Sequence, residues 1–302
     1  MLYPNGEFSL GLSTPVKAHK PPQPPSTRHR GGKAQTTYSK RMVRNCIAKL
    51  ERDYGKHNLA FATYTLPDLP EYEMNVIRQK WREVTRQFKQ AVERDLKSAG
   101  IKPELVYVTE IQEERYEKTG AIAPHIHAVF QSRKTRHHKY AITKERNTEI
   151  WNRIISNVLG RRVEIPSGAS IEQVKKSAEC YMSKYMSKGG KLAQEVIDKS
   201  VSNWMPKAWW GATLSLRNWV KANTRILSER TKNYIRDNYK KFQENLDESP
   251  LSWLYVHEIP PTGDEQVSKA VAIVGRVKRD WIRRFEYRNL MDWKLVPKAV
   301  KV

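Results

Sequence analysis

Two histidines separated by a single residue, His125 and His127, lie in the run Pro-His-Ile-His-Ala-Val-Phe at 124–130. The run reads as a strand, and strand alternation turns both imidazoles to one face and Ile126 to the other. Such a pair is either a structural pair or part of a metal site that lacks a third ligand. The segment from Glu104 to Gln112 reads as the preceding strand. On it Val106, Val108 and Glu110 share one face, and Tyr107, Thr109 and Ile111 share the other. The connection from Glu113 to Ala123 is polar and contains Gly120, so an antiparallel hairpin turning near Glu117 and Lys118 is the economical arrangement. That hairpin sets Glu110 opposite His125. His125, His127 and Glu110 then form a facial two-histidine, one-carboxylate set for Mg²⁺ or Mn²⁺, with positions left for water or phosphate. Glu113 and Glu114 are the alternative carboxylates, expected in the loop and solvated.

A second group of reactive side chains is Tyr181-Met-Ser-Lys184-Tyr185-Met-Ser-Lys188. At about 100° per residue, Tyr181, Lys184, Tyr185 and Lys188 share one side of a helix, and Ala178, Met182 and Met186 form an adjacent apolar stripe. Tyrosines at this spacing commonly brace a core; beside a metal they can do more. A phenol of pKa about 10 is ionised to roughly one part in a thousand at pH 7, a handicap of ~4 kcal/mol. Lys184 and Lys188 would favour the phenolate and hold phosphate charge, while a divalent ion would polarise a phosphodiester. In-line attack displaces a deoxyribose 3′-oxygen and leaves a 5′-phosphotyrosine, so the strand can be rejoined without ATP. The second tyrosine, one turn away, can attack the next junction while the first still holds DNA.

These groups need a scaffold, and the pattern supplies one. Met42, Val43, Cys46, Ile47, Leu50 and Tyr54 recur at helical spacing, and Gly55 follows as a stop. Leu59 to Leu66 reads as a strand ended by Pro67. One long helix is expected from about Glu71 to Gly100, with Ile77, Trp81, Val84, Phe88, Val92 and Leu96 as its stripe. Ile142 to Leu159 looks helical, Arg162 to Ile165 and Ser170 to Lys175 look like short strands, and a helix from Ser177 to Lys188 closes the unit at Gly189-Gly190. Antiparallel strands interleaved with helices predict an α+β fold, a central antiparallel sheet packed with helices. Residues 1–36, rich in proline and basic residues, read as a disordered tail. The catalytic unit is expected over 37–215, and 216–302 reads as a small, mostly helical, tryptophan-rich basic region. Seven of the nine tryptophans lie beyond position 200, and packing is the commonest job for them.

Composition narrows the partner. Lysine and arginine exceed aspartate and glutamate by 55 − 32 = 23, which fits a polyanion. Arg133, Lys134 and Arg136, with Lys188, are the candidate DNA contacts, and His137-His138 in the same stretch reads as a solvated DNA-facing segment rather than a second metal site. Two cysteines, Cys46 and Cys180, exclude a disulfide framework or a four-cysteine zinc site and fit a reducing cytoplasm. No apolar run approaches a membrane span, and no signal peptide is evident. Gly189-Gly190-Lys191 lacks the spacing and the Ser/Thr of a Walker-type loop, which argues against an ATP-driven helicase.

Taken together, these motifs make the chain resemble the HUH endonucleases, and among them the two-tyrosine initiators of rolling-circle replication in phages and plasmids. Ala60-Phe-Ala-Thr-Tyr-Thr-Leu-Pro67 is similar to their first motif, Pro124-His-Ile-His-Ala128 to the second, and Ala178-Glu-Cys-Tyr-Met-Ser-Lys-Tyr-Met-Ser-Lys188 to the third. The resemblance covers roughly residues 40 to 190 and fades beyond about residue 220. It implies a nickase that acts on single-stranded DNA at a replication origin, in the cytoplasm of a bacterial host, together with a host helicase and polymerase. It also implies that His125, His127 and Glu110 bind the metal, that Tyr181 and Tyr185 are the nucleophiles, and that Lys184 helps hold the phosphate. Two-tyrosine transposases share this chemistry, but no zinc-binding N-terminal module is recognisable here. Conjugative relaxases place their tyrosines ahead of the histidines. A non-catalytic origin-binding or single-stranded-DNA-binding protein and a hydrolytic metallonuclease are the readings from other classes.

Overall fold

A computed structural model describes residues 1–11, 37–135, 137–175, 177–183, 185–186, 209–227, 229–244, 253–259 and 269–276. The chain divides into two compact units, Ser26–Lys221 and Met1–Pro25 with Ala222–Val302.

The first unit is built on a five-stranded antiparallel sheet of β2 (Leu59–Tyr64), β3 (Leu105–Ile111), β4 (Pro124–Gln131), β5 (Ala169–Gln173) and β6 (Trp210–Ala212), in the order β5-β2-β4-β3-β6. Because successive side chains alternate, the sheet has two apolar faces. Ala60, Ala62 and Tyr64 of β2, Tyr107 of β3 and Ile126, Ala128 and Phe130 of β4 face one core. That core is closed by α2 (Glu71–Gln79), α3 (Trp81–Ser98) and α5 (Lys144–Leu159). Leu59 and Phe61, Val106 and Val108, and Val129 face the other core, closed by α1 (Thr37–Tyr54), by α6 (helical at 178–183 and 185–186) and by α7 (Leu214–Asn223). The expected α+β sandwich is therefore present, with helices on both faces of the sheet.

Several local expectations change. The single helix over 71–100 is two helices: the backbone departs from helical geometry at Lys80 (φ −95°, ψ 14°), whose ammonium donates to the Val158 carbonyl at the end of α5. The hydrogen bonds from Lys80 N to Val76 O and from Val84 N to Lys80 O run through the bend, so Ile77 and Trp81 still face the same core. The polar connection between β3 and β4 is not an open loop, since Glu113–Thr119 form a short helix, α4. Its acidic first turn suits the helix dipole, and Gly120 at φ 69° ends it in the left-handed conformation that favours glycine. Arg115 ties α4 to the end of β2 by donating to the carbonyls of Leu66 (3.1 Å) and Pro67 (2.9 Å).

Residues 162–165 are not a strand. Their backbone is satisfied by side chains of α5, with Val163 N donating to Ser156 Oγ (2.9 Å) and Ile165 N to Asn152 Oδ1 (3.2 Å), so no ladder is needed. Trp209 and Trp210 do pack, as expected: β6 adds to β3, and Thr109 N donates to the Trp209 carbonyl (2.7 Å).

The second unit corrects the reading of the N-terminus. Residues 1–11 are not a tail, because β1 (Glu7–Gly11) pairs antiparallel with β8 (Lys269–Arg276), which pairs with β7 (Trp253–Ile259). Phe8 and Leu10 are buried, and it is this apolar alternation that offsets the entropy of ordering the strand. Met1 and Leu2 are held as well, the former by a bond from its ammonium to Ser9 O and the latter by a bridge to Arg225. Residues 12–36 of the expected tail lie outside the described residues. The expected boundary at 215/216 falls inside α7, and the units part after Lys221. The helical expectation for 216–302 is met by α8 (Glu229–Glu244), but the region also supplies β7 and β8, two of the three strands of this sheet.

Candidate metal centre

The register of β3 on β4 places Glu110 opposite His125 and Val108 opposite His127, as the hairpin reading requires. The α4 insertion leaves this register intact, because Gln112 N donates to Ala123 O (3.0 Å) and closes the ladder before the helix begins. His125, His127 and Glu110 thus emerge on the α1–α6 face of the sheet, all three buried.

Their ligand atoms converge. Glu110 Oε2 lies 3.1 Å from His125 Nε2 and 2.7 Å from His127 Nε2, and the two nitrogens are 3.2 Å apart. Three cis positions of an octahedral ion with ligand bonds of ~2.1 Å span edges of about 3.0 Å, the size of this triangle. The donor chemistry and the geometry therefore fit a divalent metal ion, and this is the metal-competent cluster among the described residues. His127 also has an outer partner: Thr63 Oγ1 on the neighbouring strand lies 3.0 Å from its Nδ1, placed to accept from Nδ1–H when Nε2 ligates a metal. Glu113 and Glu114, the alternative carboxylates, lie in the first turn of α4 outside the cluster.

Electrostatics prepare the same state. Burial works against the Glu110 charge, but hydrogen bonds from His125 and His127 and their charge override it and hold its carboxyl down to about 2. Burial lowers the His127 imidazole to about 4 against the pull of Glu110. At neutral pH the site thus offers a carboxylate beside a neutral His127 imidazole, the protonation states that metal coordination needs.

Over this cluster lies α6. Ala178, Met182 and Met186 are buried against the sheet as the apolar stripe predicts, and Val174 is buried just ahead of them. The start of α6 is fixed by Glu51 of α1, whose Oε1 accepts from Ala178 N (2.6 Å) and Ser177 Oγ (3.1 Å). This seating brings both tyrosines to the metal face. Tyr185 stacks on His127 with ring centroids 3.7 Å apart, and Tyr181 meets Phe61 at 5.6 Å. Burial pushes the Tyr185 phenol up from its ordinary value, and the charges of Glu110 and Glu172 and the neighbouring Tyr181 add to that shift.

Sequence reasoning missed Phe61 and Glu51. Phe61 shares the strand face of Thr63, and its ring lies 5.5 Å from both His127 and Tyr185. Its alternation with Thr63 along β2 was the available signal. Nothing local marks Glu51, because its partners are more than 120 residues away.

The candidate DNA contacts fare differently. Lys184, Lys188 and Arg136 lie outside the described residues. Arg133 and Lys134 follow β4, whose last residue, Gln131, is four residues and about 13 Å beyond His127, so they do not join the metal centre. Arg133 donates to the His57 carbonyl (2.7 Å and 3.1 Å) and lies over the Tyr140 ring, and the Lys134 ammonium sits beside Gly100 after α3. His137 and His138 are exposed, as a solvated segment should be. Among the described residues no helix is long and apolar enough to cross a membrane.

Comparison with protein-family models, with curated proteins and with solved structures found no match for this chain.

Proposed function

We propose that this chain is a metal-dependent DNA nickase with a tyrosine nucleophile, one that opens a single strand at a replication origin to start rolling-circle replication. The observation that carries the reading is the meeting of two tyrosines with a Glu-His-His triad on one sheet face, Tyr185 lying directly on the ligand His127. A structural histidine pair has no need of a converging carboxylate, and a tyrosine brace has no need of a metal-sized triangle beside it.

Glu110, His125 and His127 would hold the ion, and the two imidazole ligands favour Mn²⁺, with Mg²⁺ the other candidate. When bound, it supplies Lewis-acid polarisation of the scissile phosphate. The protein does the rest. Thr63 keeps the His127 ring oriented, Phe61 supports the tyrosines, and α6 brings both of their rings to the same face. The attacking phenol oxygen bonds to phosphorus, the 3′-oxygen leaves with the electron pair, and the phenol proton reaches it through solvent. Lys184 and Lys188, which the sequence spacing puts on the same side as the tyrosines, would neutralise phosphate charge. The net charge of +23 suits the nucleic acid partner, and recruitment of a host helicase and polymerase completes the reading.

The test is incubation of the purified chain with Mn²⁺ and labelled single-stranded origin DNA, resolved on denaturing gels, with Tyr181→Phe, Tyr185→Phe and the double variant alongside. A protein–DNA adduct that is lost in the double variant supports tyrosine transesterification. Cleavage without an adduct indicates a hydrolytic metallonuclease, and binding without cleavage indicates a non-catalytic DNA-binding protein.

A further inference from the structure

Residues four apart on a helix share a face but lie about 6 Å apart along its axis. On α6 that offset separates the two tyrosines with respect to the triad. The Tyr185 ring covers His127 at 3.7 Å with planes 24° from parallel, while Tyr181 reaches Phe61 (5.6 Å, 33°) and stacks, among the described residues, on neither histidine. His127 is thus held at its edge by Thr63 and on its face by Tyr185, with Phe61 stacked at 5.5 Å and 20°.

We infer that the tyrosines are not interchangeable. Tyr185 belongs to the metal centre, orienting a ligand ring and making the first attack on a phosphodiester held there, and Tyr181 serves the second transfer. The orienting role stands on the ring geometry alone; the order of attack rests on the nickase reading. In the first transfer the Tyr185 oxygen bonds to phosphorus, the bond from phosphorus to the 3′-oxygen breaks, and the phenol proton passes through solvent to that oxygen. Tyr181 repeats the exchange on a second phosphodiester while the first strand end stays attached to Tyr185.

Two measurements on the full chain test this. In the first, Mn²⁺ binding is titrated calorimetrically without DNA. Tyr185→Ala is expected to weaken it by about tenfold, in the range of an outer partner of a metal ligand, while Tyr185→Phe and Tyr181→Ala bind like the parent. Tyr181→Ala also reports what loss of helix packing alone does. Equal losses in the two alanine variants, or none in Tyr185→Ala, overturn the orienting role. In the second, single-turnover adduct formation is followed on single-stranded DNA with Mn²⁺. Tyr185→Phe, which keeps the ring, should slow the first adduct by at least about 100-fold and Tyr181→Phe by less than about twofold. Equal slowing in both, or slowing in Tyr181→Phe alone, overturns the order of attack. If no chain forms an adduct, the nickase reading fails and the order of attack falls with it, while the Mn²⁺ titration still decides the place of Tyr185.

Discussion

The ring of Tyr185 lies on the ring of His127, centroids 3.7 Å apart and planes 24° from parallel. A helix residue and a strand residue meet this closely because Met182 and Met186 sink into the core beneath α6, and because Phe61 fills the space beside both rings. The contact makes a chemical unit of two motifs that are separate in the chain.

Removal of first-sphere or outer partners should grade metal affinity. Glu110→Gln is expected to abolish measurable Mn²⁺ binding, because it removes the one anionic donor of the triad. Thr63→Ala, which leaves all three ligands in place but frees Nδ1 of His127, should weaken binding by roughly 10–100-fold. Calorimetric titration with Mn²⁺ reads both. Unaltered affinity in Glu110→Gln would remove the triad as the metal site.

Acid should destabilise the metal-free protein in a defined window. His127 titrates at about 4 when folded against 6.5 ordinarily, so as pH falls the unfolded chain takes up that proton first. This contribution is fully present above pH 6.5 and is lost between pH 6.5 and 4. Its size is about 3 kcal/mol at 1.4 kcal/mol per pH unit. The Glu110 contribution, from a pKa depressed to about 2, is lost in the next window, below pH 4.5. Urea unfolding with a chelator at pH 7 and pH 4.5 should therefore show a smaller stability difference in His127→Gln than in the parent. An identical difference would mean that His127 is not the group responsible.

Glu51 should matter for stability but not for metal affinity. Its carboxylate accepts from the first turn of α6, where the helix dipole also favours negative charge. Glu51→Ala is expected to cost about 1–2 kcal/mol in chemical denaturation, the usual range for a lost N-terminal cap. Mn²⁺ affinity should stay at the parental value, since the triad is carried by strands. A parallel loss of affinity would show that the seat of α6 shapes the triad as well.

Binding to single-stranded DNA should be strongly salt-dependent. If five phosphates are neutralised, the logarithmic slope against salt concentration is about −3.5. Fluorescence anisotropy over a salt series measures it, and a flat response would argue against a polyanion partner despite the charge of +23.

Much of this centre is legible in the chain because it depends on local periodicity. Alternation in 124–131 and 105–111 assigns His125, His127 and Glu110 to one face, and it excludes the one-residue slips that would turn Ile126 and Val108 to the wrong side. The 3.6-residue period likewise sorts Met182 and Met186 from Tyr181 and Tyr185. Local signals mislead where a distant group completes the backbone, as where Ser156 and Asn152 replace a ladder at Val163 and Ile165, or where β8 pairs with residues read as a tail.

The sequence by itself therefore determined which face of its own element each candidate side chain occupies, because those faces follow from backbone geometry within a few residues. Only the tertiary structure decided that Tyr185 covers His127 while Tyr181 rests on Phe61, that Glu51 holds the start of α6, and that the first strand completes a sheet with the C-terminal region. These are contacts between distant parts of the chain. They are set by how whole helices and strands bury their apolar faces together, and no local period encodes that.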